Sequence, residues 1–235
     1  MLELLLKSFE LISSFDKDLY EIIFLSLKVS FIALLVSSII GLPICAIIAT
    51  NDFIGKRVLI IFFNSMMALP PVFVGLVLYI LFSKSGPLGF LEILYTPLIM
   101  IIAQIVLILP IIISVGIETL ENIAKEYDEL LSILNVNLGN KIKIILWDGR
   151  FVLFTCILTG LGRALSEVGA IIIVGGNIIH VTRVMTTSIA LETSKGNLTL
   201  AMSLGIILII ISIVLNGFAL VTKYSAKRFS YDWTK

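Results

Sequence analysis

Long runs of apolar residues, separated by short polar stretches, fill most of the chain. Five runs have about the 20 residues that a helix needs to cross the hydrocarbon core of a bilayer. They lie at about residues 22–49, 58–82, 97–115, 151–174 and 198–221. Because lipid offers the backbone no hydrogen-bond partners, a single segment that crosses it must be helical. The pattern predicts an all-α, polytopic membrane protein with five transmembrane helices.

The two ends of the chain differ from these runs. In residues 1–21 acidic side chains outnumber lysines, and no small-residue cleavage site typical of a secretory signal follows. We expect this lead-in to be a short amphipathic or irregular segment. Residues 22–222 form the predicted transmembrane domain, and residues 223–235 form a basic tail.

Lysine and arginine are distributed unequally between the connecting segments. With five spans, one side of the membrane holds ten of them and the other holds five, and Lys28 and Arg163 lie within spans. Cytoplasmic loops are enriched in these residues. We therefore expect the N-terminus outside and the C-terminus in the cytoplasm, although a half-helix between residues 175 and 197 would complicate the count.

Composition agrees with the membrane prediction. The chain is 59% hydrophobic and 14% charged, whereas soluble domains carry about 25% charged residues. The net charge of +1 gives no reason to expect nucleic acid or acidic macromolecules as partners. Cys45 and Cys156 lie within apolar runs, which favours packing residues over a disulfide or a metal pair.

Residues 116–150 are the longest polar segment, and we expect them to be a cytoplasmic loop. The pattern predicts two short amphipathic helices separated by a break at Asn135, Asn137 and Gly139. Such a pair suits docking onto a cytoplasmic partner, and a plain connector on the membrane surface is the alternative. The candidate contact residues are Glu126, Glu129, Leu130, Leu131, Leu134 and Asn135.

Two charged residues interrupt the fourth apolar run. Arg163 and Glu167 are four residues apart, so one helical face would carry both. Charges at this depth are costly and normally face the protein interior in pairs. They form either a structural ion pair or part of a translocation path, in which Arg163 offsets the charge of a passing anion and Glu167 then releases it. Ser166 and Gly169 beside them are small enough for a pore wall or a close helix contact.

Prolines and polar residues mark other positions within the spans. Proline kinks or breaks a helix, and broken helices border cavities in many transporters. The prolines are Pro43, Pro70, Pro71 and Pro110. Asn64 and Gln104 are expected to make interhelical hydrogen bonds rather than to bind substrate.

Hydroxyl residues are concentrated after Gly175 and Gly176. Thr186 and Thr187 are the candidates for the translocation path, because hydroxyls can escort an oxyanion without trapping it. A solvated, threonine-rich loop is the alternative. His180 is the only histidine, so a metal site built from histidines is excluded, and we expect no cofactor in this chain.

No P-loop pattern GxxxxGK[ST] and no nucleophile–base constellation occur in the sequence. The chain is therefore predicted to be non-catalytic. If transport uses ATP, a separate ATPase must hydrolyse it.

The stretch ELLSILNVNLGNKIKIILWDG, which begins at Glu129, resembles the EAA loop of type I ABC importer permeases. That motif reads Glu-Ala-Ala, three residues, Gly, nine residues, then Ile-x-Leu-Pro. Glu129 and Ile145 match it literally, and Asn135 takes the place of the glycine. Since asparagine adopts the left-handed conformation more readily than other non-glycine residues, the turn is preserved.

Three further stretches resemble permeases of the molybdate and tungstate branch. They are LPPVFVGLVLYILFSKSGPLG from Leu69, GRALSEVGAIIIVGGNI from Gly162 and TRVMTTSIALET from Thr182. The similarity covers about residues 27–216. VGGNI followed closely by TRVMTTSIALET is most similar to the tungstate branch.

The resemblance implies a permease subunit in a prokaryotic cell membrane. It implies a homodimer with the pore on the two-fold axis, two ABC ATPase subunits docked on the loop, and an extracytoplasmic binding protein that delivers a tetrahedral oxyanion. Tungstate is the first expectation for the substrate, and molybdate or another small anion is the alternative. An ion-coupled secondary transporter with Glu167 as the proton site is a further hypothesis, as is a membrane scaffold without a transport role.

Overall fold

The computed structural model describes residues 2–232, and the side chains of residues 2–218 and 221. Every regular element in this part of the chain is helical. A single 3-10 turn, Gly89–Leu91, accompanies the α-helices. The helices are α1 Leu2–Ser13, α2 Lys17–Thr50, α3 Lys56–Met67, α4 Pro71–Phe82, α5 Pro97–Ile133, α6 Leu138–Asp148, α7 Arg150–Ser166, α8 Gly169–Gly175, α9 Met185–Ser194 and α10 Leu198–Asp232.

Three of these helices are long and apolar enough to cross a membrane unbroken. They are α2, α5 and the part of α10 from Leu198 to Phe218. Two bent pairs raise the number of candidate spans to five: α3 with α4, bent by 96°, and α6 with α7, bent by 72°. The prediction of an all-α, polytopic membrane protein is confirmed, but not every span is one straight helix.

Helix α5 lies at the centre and contacts α2 along much of its length, as well as α3, α4, α7 and α8. Small residues allow the close approach of α2 and α5. A Cβ added at Gly116 would lie 2.7 Å from the Sγ of Cys45, and one added at Gly41 would lie 3.0 Å from Ile112. Helices in lipid associate by this kind of close packing, since lipid tails already solvate their apolar outer faces.

The second predicted span is broken at its prolines. Helix α3 ends at Met67, and α4 starts at Pro71 with Pro70 in the extended conformation before it. Proline lacks the N–H that would continue the helix, and it disfavours the helical conformation of the residue before it. The interruption was expected from the sequence, whereas the 96° bend was not.

The fourth predicted span is also broken, which the sequence pattern did not predict. Helix α7 ends at Ser166, Glu167 is extended, and α8 starts at Gly169. Arg163 and Glu167 therefore do not lie on one helical face midway along a helix. No proline marks this break. The Glu167 carboxylate instead accepts a hydrogen bond from the backbone N–H of Ala170 in the next helix.

Residues 116–150 are helical on both sides of the predicted break, but the first of the two predicted helices is the end of α5 and not a separate short helix. Helix α5 continues to Ile133 because buried apolar residues recur at helical spacing beyond Gly116, at Ile117, Leu120 and Ala124. The break comes where it was predicted. Asn135 has a left-handed φ of 48°, and the Asn137 side chain caps α6 by accepting from the N–H of Asn140 at 2.9 Å.

Both ends of the chain contain helix in the part that the structure describes. The lead-in contains α1, which packs against the start of α10, and the Ser8 hydroxyl donates to the Thr199 carbonyl at 3.3 Å. Helix α9 is the half-helix whose presence would complicate the charge count. Its ten residues are too short to cross a bilayer. Of the predicted tail 223–235, the helix α10 includes residues up to Asp232, and residues 233–235 lie outside the described residues.

Candidate translocation path and coupling surface

One face of α7 carries a row of small and polar residues, here called the α7 stripe. It consists of Thr155, Thr159, Gly162 and Ser166, which recur at intervals of four, three and four residues. All except the partly buried Thr155 are exposed, and a Cβ added at Gly162 would meet no atom within 4 Å. Hydroxyls are poor partners for lipid tails. The stripe therefore suits an aqueous path or a contact with a second protein chain.

The hydroxyls of the stripe are satisfied by their own helix. Thr159 donates to the carbonyl of Thr155 at 3.0 Å, and Ser166 donates to that of Arg163 at 3.1 Å. A hydroxyl can rotate and donate its hydrogen to another acceptor. The hydroxyls of the stripe therefore have hydrogen-bond partners when no anion is present. They can still donate to an oxyanion that passes.

Arg163 and Glu167 lie at the end of the stripe, where α7 breaks. A guanidinium nitrogen of Arg163 is 3.7 Å from a carboxylate oxygen of Glu167. The two side chains differ in exposure, at 39% for Arg163 and 5% for Glu167. The arginine thus presents its charge beside the stripe, whereas the glutamate is held within the protein.

Three contacts fix Glu167. Its carboxylate accepts from the N–H of Ala170 at 3.1 Å and faces Arg163, and its carbonyl accepts from the hydroxyl of Thr186 at 2.7 Å. Thr186 lies in the first turn of α9, so the helix break is tied to the half-helix. A movement of α9 would therefore act directly on the backbone between α7 and α8.

The threonine-rich segment is buried and not a solvated loop. Thr187 has no exposed surface, and its hydroxyl contacts the side-chain oxygen of Asn177 at 3.0 Å. Thr182 is equally buried and donates to the carbonyl of Gly175 at 2.5 Å. Thr186 and Thr187, both candidates for the path, are brought close to Glu167 but face the interior rather than the stripe. Here hydroxyls replace the backbone partners that the irregular chain lacks.

The two broken spans meet each other. A Cβ added at Gly75 in α4 would lie 2.8 Å from the Cα of Ala170 in α8, and one at Gly169 would lie 2.7 Å from Val72. The absence of side chains at these glycines lets the backbones of α4 and α8 touch. Both helix breaks therefore belong to one structural unit.

Gln104 connects the central helix to this unit. Its amide nitrogen donates to the Ala164 carbonyl at 3.1 Å and to the Ser30 hydroxyl at 3.4 Å. The expected interhelical role of Gln104 is confirmed, and so is that of Asn64, which bonds to Ser114. A cavity of about 10 Å³ beside Gln104 is no larger than one water molecule requires, so it cannot hold a tetrahedral oxyanion.

The predicted coupling residues lie around the C-terminal end of α5 and the turn after it. Glu126, Glu129, Leu130, Leu134 and Asn135 are exposed, whereas Leu131 is buried at 5% exposure. The exposed members, together with Ile133 at 78% exposure, define what we call the coupling surface. An ion pair of 2.9 Å between Lys141 and Asp128 joins α6 to α5 at this end. The surface combines apolar and acidic side chains, and no other part of the described chain covers it.

Known proteins resemble the chain over nearly all of its length. It is 39% identical to the tungstate uptake system permease protein TupB of Peptoclostridium acidaminophilum, over 88% of this chain and 91% of that protein. It is 36% identical to a probable anion ABC transporter permease protein of Haloferax volcanii, over 85% and 88% respectively. It is also 36% identical to TupB of Campylobacter jejuni, over 70% of this chain and 69% of that protein. No family model matches the chain.

The chain belongs to the family of ABC transporter permeases that includes the tungstate uptake permeases. The resemblance inferred from the sequence motifs is thereby confirmed. Such permeases are the membrane subunits of their transporters, so a multi-pass location in the cell membrane agrees with the apolar helices of this one.

Sequence reasoning missed two groups of residues at the candidate site. The first is Thr155 and Thr159 of the stripe, although small and polar residues at intervals of three and four on an apolar helix could have indicated it. The second is Ser26, whose hydroxyl accepts from the N–H of Met185 at 2.7 Å and so holds the start of α9 against α2. A lone serine in an apolar run gives no signal for such a contact.

One further polar contact joins distant segments at the start of α2. The Nδ1 of His180 is 2.7 Å from a carboxylate oxygen of Glu21 at the start of α2. This hydrogen bond and the negative charge of Glu21 raise the pKa of His180 above its ordinary value. Asp18 acts in the same direction, and Arg183 and desolvation act against it.

Proposed function

We propose that this permease is the membrane-spanning subunit of an ATP-driven importer of a tetrahedral oxyanion, with tungstate as the main substrate. The observation that carries the proposal is the α7 stripe, a row of small and polar residues on one face of a membrane helix that ends at Arg163 and Glu167. The names of the two TupB relatives support tungstate as the substrate.

Arg163 offsets the charge of the anion during passage. A guanidinium offers five N–H donors in a planar fork that suits oxyanions, and its charge here is only partly compensated at 3.7 Å. Glu167 then competes for the same guanidinium and lowers the residence time of the anion. The stripe hydroxyls supply weak donors along the rest of the path.

Conformational change reaches this site through α5 and α9. The coupling surface lies at the cytoplasmic end of α5, and α5 runs as one helix to the unit formed by the two breaks. ATPase subunits that bind the surface through Leu130 and Leu134 can shift α5 as a rigid element. The result is a population shift between two packings, inward- and outward-open.

The active assembly contains two copies of the permease with their stripes facing each other across a two-fold axis. Two ABC ATPases dock on the coupling surfaces, and an extracytoplasmic binding protein delivers the anion. The permease chain itself performs no ATP chemistry, and its sequence has no GxxxxGK[ST] pattern.

Reconstituted uptake tests the proposal. Proteoliposomes that contain the permease with its ATPase and binding protein should accumulate tungstate only when ATP is supplied, and excess molybdate measures the selectivity. Uptake that follows an ion gradient without ATP would instead indicate a secondary transporter.

Variants of Arg163 separate transport from folding. Arg163→Ala should lower tungstate uptake by about tenfold, the factor that corresponds to losing one charge-assisted contact, whereas Arg163→Lys should retain most of it. Arg57→Ala removes an exposed arginine at the start of α3 and serves as the matched control. Unchanged uptake by assembled Arg163→Ala transporters would remove Arg163 from the path.

A further inference from the structure

A membrane-facing groove lies between α2 and α7, near the cytoplasmic end of the molecule. It encloses about 360 Å³, and its walls are almost entirely apolar. Pro43 lies inside α2 at this level, and its ring forms part of the wall. The main wall residues are Leu42, Pro43, Leu146, Leu153, Phe154 and Ile157.

Arg150 lies at the groove and carries a charge without a carboxylate partner. Among the residues whose side chains the structure describes, no acidic group lies within 4.0 Å of it. One guanidinium nitrogen donates to the Trp147 carbonyl at 2.5 Å. The remaining donors of the guanidinium are free for another acceptor.

The aromatic rings around this arginine are typical of the membrane interface. The Arg150 guanidinium lies 4.6 Å from the ring centre of Trp147 and 4.5 Å from that of Phe151. Trp147 is 71% exposed, and tryptophan prefers the level of the lipid headgroups. Asp148, the acidic residue nearest to Arg150 along the sequence, lines another cavity with Tyr127, Lys143 and Trp147.

We propose that this groove is a binding site for an anionic phospholipid of the cytoplasmic leaflet. One acyl chain fills the apolar groove, and the phosphate accepts hydrogen bonds from Arg150. Basic residues beside apolar crevices on the cytoplasmic side of membrane proteins bind anionic headgroups in this way.

The position of the groove on α7 favours lipid over a second copy of the chain. Arg150, Phe154 and Ile157 lie on the side of α7 roughly opposite to the stripe residues Thr159 and Ser166. A copy that meets the stripe therefore leaves the groove facing the bilayer. The lipid site depends on the chain crossing a membrane and not on which anion is transported.

Photocrosslinking in nanodiscs tests the site on the permease assembled with its ATPase. The probe is phosphatidylglycerol with a diazirine on one acyl chain, in a background of phosphatidylcholine, and adducts are located by peptide mass spectrometry. We expect adducts on the peptides around Leu42 and Phe154. The same probe built on phosphatidylcholine should label these peptides several-fold less.

Substitutions at Arg150 identify the role of its charge. Arg150→Ala should reduce phosphatidylglycerol adducts about fivefold, the factor for one basic residue near an anionic headgroup, and Arg150→Lys should keep them within twofold. Arg57→Ala, an exposed arginine in the first turn of α3, is the matched control and should change nothing. Three results would each overturn the proposal. The two lipid probes could label the groove equally, Arg57→Ala could lose as many adducts as Arg150→Ala, or two permease copies could crosslink through the groove.

Discussion

At the scale of single residues, the close backbone contact between α4 and α8 depends on Gly75. A Cβ there would lie 2.8 Å from the Cα and 3.0 Å from the carbonyl oxygen of Ala170, so neither neighbour can move as a flexible side chain would. Overpacking of this kind costs about 1–3 kcal/mol. Gly75→Val should separate α4 from α8 and lower the thermal unfolding midpoint of the purified permease.

The matched control for this prediction is Gly205→Ala in α10. No atom lies within 4 Å of a Cβ at Gly205, and alanine is the better helix former by about 1 kcal/mol. Its midpoint should stay the same or rise. If Gly75→Val melts with the same midpoint as Gly205→Ala, the close approach of α4 and α8 is not required.

The contact between His180 and Glu21 makes the stability of the permease sensitive to pH. Since folding raises the pKa of His180, its contribution to stability is complete below the ordinary pKa of about 6.5 and is lost as the pH rises through the raised value. His180→Gln should therefore lower the unfolding midpoint at pH 5.5 and have no effect at high pH. Thermal scans of both proteins across this range measure the difference, and a constant difference would contradict the prediction.

At the scale of elements, the turn between α5 and α6 depends on a left-handed residue. Asn135 has φ of 48°, which costs most L-residues about 1–2 kcal/mol. Asn135→Gly should preserve both the turn and ATP-driven uptake, whereas the β-branched Asn135→Val should disturb the coupling surface and reduce uptake. Equal transport by the two variants would show that the left-handed turn does not position this surface.

The spans and this turn could be predicted from sequence because local signals specify them. Apolar runs of sufficient length give the long helices, and Pro70–Pro71 and Asn135 are strong local breakers. The break at Glu167 has no such signal. It is stabilised by Ala170 in the next helix and Thr186 in a distant one, and tertiary contacts of this kind cannot be read from a local pattern.

The same reason explains the wrong expectations. The C-terminal part of α5 is polar on its outer side, which suggested a separate short helix, but its inner side continues the core through Leu120 and Ala124. The threonine-rich segment suggested solvation, yet its hydroxyls satisfy a buried, irregular backbone. In both cases the sequence shows that the residues are polar, but it does not show which atoms their side chains contact in the fold.

At the scale of the whole molecule, the functional elements of the described chain lie at three levels. The first level is formed by α9 and the His180 contact, the middle level by the paired breaks, and the third level by the coupling surface. Helix α5 connects the last two, since its first residues pack with α8 and its last turn carries Leu130 and Ile133 of the coupling surface. A displacement of the coupling surface can therefore reach the paired breaks without an intervening flexible segment.

The orientation of these levels in the membrane is the last prediction. Ten basic residues on the side of the coupling surface against five on the other side predict that this surface faces the cytoplasm. In whole cells, a membrane-impermeant maleimide should label Ser85→Cys, in the exposed connection between α4 and α5, and should label Ser132→Cys only after permeabilisation. The native Cys45 and Cys156 are buried, at 0% and 3% exposure, so they contribute little background. The reverse labelling pattern would place the N-terminus in the cytoplasm, and the coupling surface would then face away from any ATPase.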